Sequence, residues 1–110
     1  MSRLVQCLIA ISMLCSLTVV RGSQTAPDAA GIFKTNCSSC HGADGSGNTG
    51  LGKALHAQDL RSDETQKQSD AALGGVIAKG REKMPAFGAK LKPDDITKLV
   101  AHIRSLAAKK

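Results

Sequence analysis

Near the C-terminus, apolar residues recur every three or four positions: Ile96, Leu99, Val100, Ile103 and Leu106 fall on one face of a helix. Pro93 suits the first helical position, Asp94 and Asp95 sit at the positive end of the helix dipole, and Lys109 and Lys110 lie at the far end. A rougher stripe of the same period, formed by Ala29, Ile32, Phe33 and Asn36–Cys37 behind Pro27 and Asp28, predicts a helix over about 27–36. Ser69 before Asp70, with Gly80 as the stop, predicts a helix through Lys79. Ser62 followed by Asp63 and Glu64 marks the start of a shorter one. Between these helices Gly42 to Gly52 holds five glycines in eleven residues and reads as a loop. No segment alternates strictly between polar and apolar residues. The expected fold class is therefore all-α, with three to five short helices in a single domain, since 110 residues leave no room for a multidomain enzyme.

The N-terminal pattern is different. Arg3 precedes an apolar run from Leu4 to Val20, followed by small residues, the layout of a secretory signal peptide. Cleavage is expected after Gly22, giving a signal peptide at 1–22, a mature domain at 23–110 and export to the periplasm. The alternative is an uncleaved anchor, because the 17-residue run is just short of a spanning helix. Processing changes the composition. It removes Cys7, Cys15, Met1 and Met13, so Cys37, Cys40 and Met84 are the only sulfur-bearing side chains left. It also leaves 13 basic and 9 acidic side chains.

Cys37-Ser38-Ser39-Cys40-His41 carries the strongest chemical signal. C-x-x-C-H is the attachment pattern of haem c: two thiols three residues apart each add to a vinyl group of one porphyrin, and the adjacent His41 coordinates the iron. A thioredoxin-like thiol pair would need a βαβ surround, and no strand is visible. A zinc site would need a second ligand pair, whereas His56 and His102 are isolated. The glycine-rich loop offers two nucleotide-motif look-alikes. Gly45 to Gly50 satisfies G-x-G-x-x-G, and Gly47 to Lys53 approaches a P-loop but has Ala54 in place of the hydroxyl residue. Neither follows a strand, so the loop is read as a flexible turn around the cofactor.

Met84 is the expected second axial ligand, since Met/His is a known cytochrome c pair. Pro85 disfavours helical angles at Met84 and so places it on an extended loop past Gly80. His56 is the alternative ligand, and His102 is expected at the core edge or surface. Aromatic content is only 2%, from Phe33 and Phe87, so one haem c per chain, covalently attached, would supply the apolar bulk that rings normally provide. Phe33, Phe87, Leu51, Leu55, Leu60, Ile77 and Leu91 are the expected lining.

From about Ala29 to Leu106 the chain resembles small bacterial class I c-type cytochromes. The shared pieces are Gly31-Ile32-Phe33, Cys37–His41, Lys83-Met84-Pro85-Ala86-Phe87-Gly88 and the run from Asp95 to Leu106. The resemblance implies that the first and last helices cross, with Phe33 near Leu99 and Ile103, and that haem lies between the attachment segment and the Met84 loop. Two residues depart from the family pattern: Ala29 stands where glycine is frequent, and His102 where an aromatic residue is frequent. The expected function is a periplasmic, monomeric, single-electron carrier that exchanges electrons with redox protein partners. No small-molecule substrate or nucleic acid is involved, and membranes are met only through partner complexes. Lys79, Arg81, Lys83, Lys90 and Lys92 form a basic rim around Met84, diluted by Glu82, Asp94 and Asp95. The alternatives are a haem enzyme or a gas- or peroxide-reactive sensor with a labile Met84, or a haem subunit of a larger dehydrogenase or oxidase complex.

Overall fold

A computed structural model describes residues 28–109. The predicted signal peptide, its cleavage point and the helix position of Pro27 lie outside the described residues. Six α-helices run in order: α1 (Ala29–Asn36), α2 (Ser38–His41), α3 (Gly50–Leu55), α4 (Asp63–Gln66), α5 (Asp70–Lys79) and α6 (Pro93–Leu106), with a 3₁₀ turn at Ala107–Lys109. Among the described residues the only β-type pairing is one isolated bridge between Arg81 and Met84.

The starts of α1, α4, α5 and α6 follow their caps. Asp28 lies outside α1 as its N-cap and accepts from the Gly31 N–H at 2.8 Å. The Ser62 and Ser69 hydroxyls cap α4 and α5 by accepting from Thr65 and Ala72. The Asp95 carboxylate accepts from the Lys92 N–H at 3.2 Å, which fixes the entry into α6 beside Pro93. Two short helices lie where the sequence suggested only a motif and a loop. The cysteine motif itself forms α2, and the last glycines of the expected loop belong to α3.

The core is one cluster of nine buried side chains: Ile32 and Phe33 from α1, Leu60 from the loop before α4, Leu73 and Ile77 from α5, and Leu99, Val100, Ile103 and Leu106 from α6. Burial of each contributes roughly 1.5–3 kcal/mol. The α1 and α6 helices pack directly on each other, as do α5 and α6. At the first of these crossings Phe33 meets His102, ring centroids 4.8 Å apart and planes inclined by 46°. The imidazole thus takes the place of the aromatic ring frequent in the family, and it is half-buried there. Burial and nearby Lys109 hold its pKa below the ordinary imidazole value, with Asp28 opposing. Arg104 ties α6 to the α4–α5 corner by donating to the Gln66 carbonyl at 2.7 Å and the Asp70 carboxylate at 2.8 Å.

Candidate cofactor site

Cys37 closes α1, its N–H bonded to the Phe33 carbonyl at 2.8 Å, and leads straight into α2, where the His41 N–H bonds to the Cys37 carbonyl at 2.9 Å. One helical turn therefore carries Cys37, Cys40 and His41 past a single wall. Both thiols are free and half-buried. Burial, with a contribution from Cys40, pushes the Cys37 thiol up to about 11. The thioredoxin-like alternative lacks its surround, since no sheet encloses the pair among the described residues.

His41 is held by backbone. Its Nδ1 lies 3.0 Å from the Gln58 carbonyl oxygen. A carbonyl only accepts, so Nδ1 is the donor, which in the neutral ring leaves Nε2 as the nitrogen that an imidazole offers to a metal. The glycine loop supports this arrangement: the Gly47 N–H donates to the His41 carbonyl at 2.6 Å, and the Leu60 N–H to the Gly45 carbonyl at 2.7 Å. Gly42, Gly45 and Gly47 are buried at positive φ, and a Cβ on Gly47 would meet the Ala57 carbonyl at 2.7 Å. The loop expected to be flexible is instead packed by close backbone approach, which only glycine permits here.

Met84 is reached after α5 stops at Gly80. The Arg81 N–H donates to the Met84 carbonyl at 3.1 Å and the Met84 N–H to the Arg81 carbonyl at 2.9 Å, closing a tight turn. Glu82 sits inside this turn in the left-handed region, φ 54°. Phe87 and Gly88 then donate to the Ile77 and Ala78 carbonyls at 2.9 and 3.0 Å, fastening the loop to the end of α5. Met84 emerges half-buried against the core.

Cys37, Cys40, His41 and Met84 line one cavity of about 390 Å³, within the range of cofactor sites. Phe33, Leu55, Leu60, Leu73, Ile77, Phe87, Leu99 and Ile103 make its walls apolar. Two thiols, one imidazole with a bare Nε2 and one thioether around an apolar cleft fit haem c. They do not fit zinc, and among the described residues no three His, Cys, Asp or Glu side chains gather as a metal cluster. Leu51 departs from the expected lining: it is 48% exposed on α3 and does not line the cavity. Leu91 packs against the core away from the cavity. His56 does reach the cavity wall, as the left-handed C-cap of α3, but is exposed. Nothing in the sequence pointed to the Gln58 carbonyl, because a backbone acceptor has no residue-type signature.

The family model described as cytochrome c oxidase, cbb3-type, subunit III matches residues 24–103. The chain belongs to the c-type cytochromes. This cytochrome is 37% identical over 73 residues to cytochrome c6 of Anabaena variabilis, covering 66% of the chain and 80% of the relative. It is 35% identical over 82 residues to cytochrome c6 of Microcystis aeruginosa, covering 74% and 98%. Its fold is similar to the solved structure of KustC0563 c-type cytochrome, with a TM-score of 0.67 at 34% identity over 72% of this chain and 96% of that one. Haem c is the cofactor of this family, and Cys37, Cys40 and His41 supply its attachment motif. No helix among the described residues is long and apolar enough to cross a membrane.

Proposed function

We propose that this cytochrome is an exported carrier of single electrons, with Cys37 and Cys40 as covalent anchors of the haem and His41 and Met84 as its axial ligands. The observation that carries the reading is the gathering of both thiols, the oriented imidazole and the thioether around one apolar cavity. Cys37 and Cys40 would hold the haem through thioether bonds, each S–H adding across a vinyl double bond with no oxidant or reductant required. The bound haem supplies the one-electron couple of its iron.

The chain's own residues set how that couple behaves. His41 offers Nε2, with Nδ1–H anchored on the Gln58 carbonyl so that the ring does not swing. Met84 offers a soft sulfur that favours the ferrous state and raises the potential. With His41 and Met84 both bound to it, the iron would be closed to substrate, which suits relay rather than catalysis. The apolar walls disfavour the extra charge of the ferric state and act in the same direction.

Export rests on the Leu4–Val20 run, with Val20 and Gly22 at the two positions a signal peptidase reads, and delivers a processed protein to the periplasm, where it acts as a monomer in this reading. Its partners are redox proteins. Lys79, Arg81, Lys83, Lys90 and Lys92 are all exposed, and Arg81 and Lys83 also border the cavity, beside Glu82. They form the docking rim for acidic partner surfaces, so electron-transfer rates should fall steeply with ionic strength.

Redox titration with absorption spectroscopy tests the function. A reversible one-electron transition is expected, with a weak far-red sulfur-to-iron band in the oxidised protein. A high-spin oxidised spectrum without that band at neutral pH would favour a ligand-reactive haem sensor or enzyme instead.

A further inference from the structure

One hydroxyl joins the two short helices beside the cysteine motif. Thr49 Oγ1 donates a shared hydrogen to the Ser39 and Cys40 carbonyls, at 3.0 and 2.9 Å, and accepts from the Gly52 N–H at 2.8 Å. It is thus the N-cap of α3 and, through the same atom, the C-terminal clamp of α2. The four-residue α2 satisfies little within itself: its hydrogen bonds engage the Cys37 and Ser38 carbonyls, leaving those of Ser39 and Cys40 as orphan acceptors of the kind found at helix ends. Thr49 satisfies both.

The clamp is tight on its other side too. A Cβ on Gly52 would collide with the Cys40 and Gly47 carbonyls and with Thr49 Oγ1, so α3 lies directly against the end of α2. Cys40 and His41 occupy that end. His41 is then held at three points: its ring by the Gln58 carbonyl, its carbonyl by the Gly47 N–H, and the peptide before it by Thr49.

We infer that Thr49 is a positioning residue for the axial ligand, fixing the rotation of the His41 imidazole plane through the Cys40 carbonyl. The inference rests on His41 ligation as proposed above. It separates two jobs of one hydroxyl, capping α3 and holding α2, and these respond differently to substitution. Serine keeps the donor and the acceptor. Aspartate keeps the acceptor for the Gly52 N–H but, ionised, has no hydrogen to donate to the Ser39 and Cys40 carbonyls. Valine loses both.

The test uses the oxidised holoprotein and proton NMR of the haem methyl groups, whose paramagnetic shift pattern reports the orientation of the axial ligands. Thr49→Asp is expected to keep the α3 cap, to lose some stability where the Ser39 and Cys40 carbonyls go unsatisfied, and to change its methyl shifts in order and spread. Thr49→Ser is expected to keep the native pattern, and Thr49→Val to change the pattern and also lose stability. A native shift pattern in Thr49→Asp overturns the inference, leaving Thr49 as a helix cap alone, and the same holds for a pattern that Thr49→Ser fails to preserve. If Thr49→Val does not fold, the Asp and Ser variants still decide. Failure of His41 ligation itself would show in the native protein, as a spectrum without low-spin His-ligated iron, before any variant is made.

Discussion

The two sides of the cavity are built differently. On the attachment side, α1 and α2 are separated by Cys37 alone, and a loop with buried positive-φ glycines closes over them through backbone hydrogen bonds and the Thr49 clamp. On the methionine side, one tight turn and two bonds to the end of α5 hold Met84, and the neighbouring Arg81, Glu82, Lys83, Pro85 and Ala86 are exposed. The contrast assigns different work to the two proposed ligands. His41 belongs to a segment that cannot move without opening the loop around it. Met84 belongs to the more exposed segment, so the bond proposed for its sulfur should be the first to yield under stress.

The severest way to break the comparison is to remove the anchors. A Cys37→Ala, Cys40→Ala chain should be colourless and mostly unfolded, because Phe33 is the one buried phenyl ring among the described residues and the walls of the cavity would face water. Far-ultraviolet circular dichroism checks this, and native-like helix content would show that the attachment side folds without its cofactor. Met84→Ala should be much milder in structure and large in chemistry. The protein should stay folded with haem attached, lose the far-red band and drop in potential by on the order of 0.1–0.3 V, part of the roughly 0.8 V that axial ligands span. Spectroelectrochemistry reads both effects.

Glu82→Gly sharpens the comparison from the weak side. A non-glycine residue at φ 54° stores on the order of 1 kcal/mol in the turn that presents Met84. Its relief should lower the sulfur-dissociated population about fivefold, seen as later loss of the far-red band in denaturant titration, while the attachment side is unchanged. The smallest effect is expected at His102. The folded state holds this ring's pKa below the ordinary value, so the unfolded chain takes up its proton more readily as pH falls. The contribution is complete while the ring is neutral and is lost as pH drops from the ordinary imidazole value through the depressed one. His102→Phe should flatten the decline in stability between neutral and mildly acidic pH, measured by chemical denaturation.

Much of the stronger side was legible in the sequence, though not the way it is held. Spacing alone exposed Cys37, Cys40 and His41, and the Ile96–Leu106 stripe exposed α6, because side-chain type and period are what a sequence records. The short helices α2 and α3 span four and six residues, too few to show a period, and α3 contains two glycines that read as loop. The Gln58 carbonyl and the Gly47 amide act through backbone, which every residue carries. Met84 stood out as the one thioether left by the expected processing, beside Pro85, and it does reach the cavity wall, but its turn was not legible: Glu82 gives no sign of a left-handed conformation. Leu51 was expected inside on hydrophobicity and lies outside, because α3 turns Leu55 rather than Leu51 toward the cavity.

Carbon monoxide offers the most direct test of whether His41 and Met84 close the iron from both sides. The reduced holoprotein at neutral pH, exposed to the gas and followed at its main absorption band, should show no change, whereas Met84→Ala should bind it readily. Rapid, saturable binding by the native protein would contradict the account, because an iron open to a small ligand cannot be a sealed electron relay.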